Sequence, residues 1–168
     1  MSSAPLTLLD FRRALSQFAT GVTVVTVECA PGRVHGMTAN SFTSVSLEPP
    51  LISICVDERA HLLPLILDRR VFGINVLKED QQNWSEFFAR PEQEQELHER
   101  EVARHQVCFH WTRDGIPLLS DVLCQIACRL HAAHVAGDHT IVVGEVLSAQ
   151  LYAGSPLIFF RSEYTRLS

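Results

Sequence analysis

The sequence predicts a mainly β protein, an antiparallel barrel with helices at its periphery. Three observations carry this. Stretches rich in β-branched and apolar residues, bounded by turn chemistry, dominate the chain. They do not alternate regularly with helical patterns, as a doubly wound parallel sheet requires. No internal repeat is present, and no glycine-rich phosphate loop of the dinucleotide-fold kind opens a helix. With 168 residues, 46% of them hydrophobic, the chain reads as one domain over residues 1–168, able to bury a core and leave apolar surface for a partner subunit.

Residues 7–20 carry Phe11, Leu15, Phe18 and Ala19 at helical spacing, with Thr7 or Asp10 as the cap and Gly21 as the stop. Gly21-Val22-Thr23-Val24-Val25-Thr26-Val27 is β-branched at nearly every position and predicts a strand. Ala30-Pro31-Gly32-Arg33 predicts a turn, so residues 35–51 return as the second arm of a hairpin, ended by Pro49-Pro50. Residues 51–57 predict a third strand leading into a helix at about 60–69, and Val71-Phe72-Gly73-Ile74-Asn75-Val76-Leu77 a fourth strand. Residues 81–89 predict a short helix with Trp84, Phe87 and Phe88 on one side, and the charge-rich run 92–101 a solvated helix or loop. Three strands are expected after the Gly115-Ile116-Pro117 turn: 123–134, then 140–152 beyond the tight Ala136-Gly137-Asp138 turn, then 156–161. In the first of these, Cys124, Ile126, Cys128, Leu130 and Ala132 fall on one face and Gln125, Arg129 and His131 on the other.

Several functions are disfavoured at once. A net charge of -5 and a pI of 5.9 argue against nucleic acid, whose phosphates need a basic surface. No apolar run approaches the ~20 residues of a membrane span, and residues 1–9 lack the basic start and apolar core of a secretion signal. Five scattered cysteines, an odd number, suit reduced thiols in a cytoplasm better than a disulfide framework.

The 35–51 stretch is the chain's most unusual feature. Alternation puts Thr38, Asn40, Ser44 and Ser46 on one face and Met37, Ala39, Val45 and Leu47 on the other. Such a strand gives up packing area for donors and acceptors close to the backbone, as a flat cofactor with a polar edge would need. Composition alone favours a wet edge strand in which Ser and Thr face water. Cys124, Cys128, His131 and His134 would share a face on a helix. On a strand, residues four apart stand ~13 Å from each other, so no metal site is expected there. Cys55 lies in the core-like run Leu51-Ile52-Ser53-Ile54-Cys55-Val56 and reads as a buried, inert thiol. His139, in Gly137-Asp138-His139-Thr140, sits where a turn enters a strand, with an adjacent acid to fix its tautomer.

Four segments follow one another: Phe18-Ala19-Thr20-Gly21-Val22-Thr23-Val24-Val25-Thr26; the 35–51 stretch; Phe72-Gly73-Ile74-Asn75-Val76-Leu77; and Ala136-Gly137-Asp138-His139-Thr140-Ile141-Val142-Val143-Gly144. Pro156-Leu157-Ile158-Phe159-Phe160-Arg161 and Tyr164 close the series. On these residues, spanning 11–166, the chain resembles the flavin reductase family, the small NAD(P)H:flavin oxidoreductases that serve two-component flavin monooxygenases.

The resemblance implies a split antiparallel β-barrel of the FMN-binding kind with peripheral helices, usually a homodimer with its sites at the subunit interface. It implies FMN or FAD as the flavin and NADH or NADPH as the donor, hydride passing to flavin N5, and a separate monooxygenase that takes the reduced flavin. It further implies that Thr38, Ala39, Asn40 and Ser41 line the isoalloxazine, with Met37 and Ser46 in the same cofactor-binding set and backbone N–H groups meeting the N5/O4 edge. Cys55, Val56 and Asp57 would pass beside the ring and ribityl chain. Asp138 and His139 would lie near the nicotinamide, His139 in the catalytic role, and Arg161 and Tyr164 close to the same pocket. The family often holds the flavin phosphate with Ser or Thr after the third strand. Glu58-Arg59-Ala60-His61 stands there instead. Arg59 or His61, aided by the following helix N-terminus, would replace those hydroxyls, while Glu58 would oppose an anion. Other readings are a flavin- or haem-binding barrel without turnover, and a flavoenzyme that keeps its flavin and acts on an organic substrate.

Overall fold

The runs of β-branched residues become strands in the computed structural model, which describes residues 5–90 and 107–167; the 92–101 run lies outside them. The helices are α1 (Leu8–Leu15), α2 (Leu62–Arg69) and α3 (Gln82–Phe88). The strands are β1 (Thr20–Gly21), β2 (Thr23–Ala30), β3 (Arg33–Ala39), β4 (Thr43–Leu47), β5 (Pro50–Asp57), β6 (Val71–Val76), β7 (Phe109–Trp111), β8 (Pro117–Leu119), β9 (Cys124–Ala136), β10 (His139–Leu151), β11 (Ile158–Phe160) and β12 (Glu163–Thr165). No helix among the described residues is long and apolar enough to cross a membrane.

Seven strands form one antiparallel sheet in the order β3-β2-β6-β9-β10-β5-β4. It curls around a shared core to which its strands send Val25, Ile54, Phe72, Ile74, Leu130 and Val142, and α2 plugs that core with Leu62, Leu63 and Ile66. Curvature has a local cause in β10, whose pairing with β9 shifts register between Val143 and Gly144 and again between Val146 and Ser148. Gly144 must be glycine there, since a Cβ would stand 2.5 Å from the Phe72 ring. A second core joins Trp84, Phe87 and Phe88 of α3 to Val22, Val24, Leu77, Leu119 and Leu157. It is flanked by the β1-β11-β12 sheet and the β7-β8 pair. The mainly β fold with peripheral helices is as the sequence predicts.

The differences are local. The first helix ends at Leu15 rather than near residue 20, because the chain tightens into three-residue turns (Gln17 N–H to the Ala14 carbonyl, Phe18 N–H to that of Leu15) before Thr20 and Gly21 pair with Phe159 and Ile158. The 35–51 stretch is two strands on opposite edges of the sheet, interrupted at residues 40–42. The single alternation expected across it therefore breaks, and β4 keeps no buried residue. Pro50 opens β5 opposite Leu47 instead of ending a strand, a position where its missing N–H disturbs no interior ladder. Gln125, expected on the polar face of β9, is buried: its amide donates to the Leu119 carbonyl (2.6 Å) and accepts from the Tyr152 hydroxyl (3.0 Å). Strands β7, β8 and β12 were not expected, being three residues each and too short for a period to register.

Candidate active site

Where β3 ends, the chain must cross from one edge of the seven-stranded sheet to the other, and the crossing makes a groove. Ala39 is held by the Thr23 hydroxyl, which donates to its carbonyl at 2.7 Å, and Thr38 is tied to α3 by a 2.6 Å bond to the Ser85 carbonyl. Residues 40–42 then leave the ladder, and their backbone N–H groups have no backbone acceptor among the described residues. Ser41 closes the seam with its side chain. Its hydroxyl accepts from Cys55 N–H (2.9 Å) and donates to the Cys55 carbonyl (3.2 Å), standing in for the ladder rung that β4 does not supply beyond Thr43.

The resulting groove, about 250 Å³, is lined by Met37, Thr38, Ala39, Asn40, Ser41, Cys55, Asp57 and His139. Alternation along β5 turns Cys55 and Asp57 toward it and sends Val56 into the core. Two expectations are corrected by that register. The Cys55 thiol is exposed rather than buried, and the Val56 side chain cannot meet a groove ligand. Strand β10 delivers His139 directly across from Asp57.

The groove mouth is a knot of charge. Asp57 Oδ1 accepts from the backbone N–H (2.8 Å) and Nε (3.1 Å) of Arg59, and Oδ2 from its terminal nitrogen (2.9 Å). Those bonds, with a smaller contribution from His139, hold the Asp57 carboxyl far below the usual carboxylate range, and the same pairing raises the Arg59 guanidinium. Asp138 Oδ1 lies 2.8 Å from His139 Nδ1, and this bond lowers the Asp138 carboxyl. Glu58 donates its N–H to the Asp138 carbonyl (3.0 Å) and accepts from the Thr140 hydroxyl. The carboxylate expected to oppose an anion is thus engaged by a neighbouring strand.

The other sequence-predicted residues stand outside the groove wall. Ser46 accepts from Glu48 N–H in the β4–β5 turn, and His61 occupies the N-cap position of α2 without a side-chain capping bond. Arg59 is spent on Asp57. Arg161 donates to the Gln17 side chain and lies over the Phe160 ring. Tyr164 reaches the groove only indirectly: its hydroxyl is 2.8 Å from Ser85 Oγ, and the Ser85 carbonyl holds Thr38. Ser85 and the Glu58–Thr140 contact escaped the sequence reading, since the partners are 79 and 82 residues apart and no local pattern links them. On β9, Cys124 is half-buried and Cys128 fully buried while His131 and His134 are exposed, and no metal-holding group of three such side chains is found among the described residues.

What the groove offers is backbone at residues 40 and 41 that lies outside the ladder, an apolar patch from Met37 and Ala39, and an imidazole. Its volume lies just below the common range for ligand pockets (about 300–1,000 Å³), room for a flat ring system with a polar edge. The isoalloxazine of a flavin fits that donor set.

Residues 15–168 match the model of the flavin reductase like domain. The chain is 42% identical to an NADH-dependent flavin reductase of a Rhodococcus species over 96% of this chain and 88% of the relative. It is 40% identical to the reductase component of 4-hydroxyphenylacetate 3-monooxygenase of Thermus thermophilus, over 94% and 95%. The solved structure of the Streptomyces globisporus NADH:FAD oxidoreductase SgcE6 with NAD and FAD fragments superposes with a TM-score of 0.86 at 33% identity, covering 100% of this chain and 97% of that one. With its groove, its order of strands and these likenesses taken together, the chain belongs to the flavin reductase-like family.

Proposed function

We propose that this protein is an NAD(P)H:flavin oxidoreductase that reduces FMN or FAD and hands the reduced flavin to a separate monooxygenase. The observation that carries the reading is the groove itself: residues 37–41 at the seam of the sheet, Cys55 and Asp57 on its far wall and His139 at its mouth, in a chain whose relatives are flavin reductases and monooxygenase reductase components.

When bound, flavin and nicotinamide carry the hydride chemistry themselves. The chain's task is to hold and orient. Backbone N–H groups at residues 40 and 41, where the chain has left the ladder, meet the polar edge of the ring and favour charge arriving there. Met37 and Ala39 supply apolar contact to its face. Ser41 fixes the distance between the two walls by gripping Cys55. His139, its ring tied to Asp138, faces the nicotinamide side and restricts how the donor approaches. An open groove with exposed Asn40 and Cys55 suits a flavin that leaves after reduction.

We read the working form as a homodimer, supported by apolar side chains exposed on α1, β4 and the β9–β10 pair. A cytoplasmic setting is supported by five cysteines that are all free thiols. The deciding experiment crosses NADH and NADPH with riboflavin, FMN and FAD under anaerobic conditions. Bleaching of the flavin absorbance is expected. No bleaching with either nicotinamide would sink the enzyme reading, and flavin that stays bound through purification would favour a cofactor-retaining flavoenzyme.

A further inference from the structure

We propose that Glu58 is a positioning residue for His139, clamping the β9–β10 turn to the β5–α2 loop so that the imidazole stands at the groove. The inference rests on the reading of the groove as the site of flavin and nicotinamide.

Glu58 grips both sequence neighbours of His139. Its backbone N–H donates to the Asp138 carbonyl at 3.0 Å, and its Oε1 accepts from the Thr140 hydroxyl. Thr140 is 4% exposed, so without this acceptor a buried hydroxyl would lose its partner. The ladder between β5 and β10 stops short of the turn. The last rung is His139 opposite Asp57, and beyond it Ala136, Gly137 and Asp138 are exposed. The bond between Asp138 Oδ1 and His139 Nδ1 fixes the ring to its own turn. It does not fix the turn to the groove. Glu58 supplies that second attachment, from the residue that directly follows groove-lining Asp57. A carboxylate at this place works against an anion by its charge, yet here it is directed at Thr140, which gives its presence a purpose.

The test compares ligand-free wild type with Glu58→Gln, Glu58→Ala and Thr140→Val. In proton–nitrogen NMR spectra the His139 imidazole should keep its own resolved signals in wild type and in Glu58→Gln, which retains an acceptor. In Glu58→Ala and Thr140→Val those signals should move toward those of a freely mobile imidazole. In kinetics, both disrupting variants should raise the nicotinamide KM about fivefold or more, within the roughly hundredfold that a displacement of about 1 Å can bring, with flavin affinity unchanged. Adding Glu58→Ala to His139→Ala should change nothing further. Unmoved His139 signals in both disrupting variants, or losses that multiply in the double variant, would overturn the clamp. A wild type that reduces no flavin while its His139 signals respond as expected would sink the reading of the groove and leave the clamp standing.

Discussion

Cys55 and Val56 are neighbours with opposite fates, one exposed in the groove and the other sealed in the core. Their run, Leu51-Ile52-Ser53-Ile54-Cys55-Val56, is apolar but for Ser53 and shows no polar–apolar alternation, so composition offers no way to tell the two faces apart. Only the pairing of β5 between β10 and β4 sets them. The consequence is chemical. An accessible thiol on the groove wall should react with a small alkylating reagent at pH 8, and saturating FMN should protect it; labelling of Cys55 that ignores flavin would count against the groove as the site. Cys128 should resist until the protein unfolds, because burial pushes its thiol up to about 12 and leaves almost no thiolate to react. The sign for stability follows. The folded value lies above the ordinary 9.0, so the folded form holds its proton longer, and the Cys128 contribution is full below pH 9 and is lost as pH rises toward 12. Denaturant midpoints should fall across that window, and less so in Cys128→Ala. At His139 the turn and its adjacent acid were legible, because Gly-Asp dipeptides punctuate chains by known backbone preferences. His139→Ala should raise the nicotinamide KM with flavin binding unchanged, and identical steady-state constants would remove its role.

Two elements, β3 and α3, hold one wall of the groove between them. The aromatic side of α3 was legible from the spacing of Trp84, Phe87 and Phe88, all of which are buried. What those rings press on was not, because β3 lies far away in sequence. Gly36 of β3 meets Phe88 so closely that an added Cβ would stand 2.5 Å from Cδ1 of the ring. Gly36→Ala should therefore push α3 off β3, destabilise the fold by about 1–3 kcal/mol, and weaken flavin binding as Thr38 loses its anchor on the Ser85 carbonyl. A milder probe of the same joint is Tyr164→Phe. It deletes the hydroxyl 2.8 Å from Ser85 Oγ, and Ser85 is fully buried. Leaving that oxygen without a partner should cost about 1–3 kcal/mol in urea unfolding, with the nicotinamide KM unmoved. Loss of nicotinamide binding without loss of stability would instead place Tyr164 at the ligand.

At the scale of the molecule, the strands of the large sheet were legible as β-branched and apolar runs bounded by turn residues. The seam between β3 and β4 was not, since a side-chain rung such as Ser41 to Cys55 leaves no periodic trace. The same scale exposes what one chain leaves undone. An eight-residue helix is too short to be stable alone in water, yet α1, with Leu8, Leu9, Phe11 and Leu15 on eight positions, buries none of them. Nearby Phe18 is 77% exposed, and the edge strand β4 presents Leu47 at 94%. Val135 and Leu151, at opposite ends of the β9–β10 pair, are 78% and 79% exposed. Apolar edges of this kind are ordinarily covered, and a second copy of the chain is the occupant we propose. The wild type should sediment at twice the 18.8 kDa chain mass. Phe18→Glu should weaken the assembly by on the order of 30-fold or more, as loss of a central aromatic contact does, and Leu47→Lys should act in the same direction. Both substitutions replace side chains that the single chain already exposes, so the monomer's own unfolding curve should shift little. A wild type that is monomeric at every concentration tested would refute the pairing, and would require α1 to find its cover elsewhere.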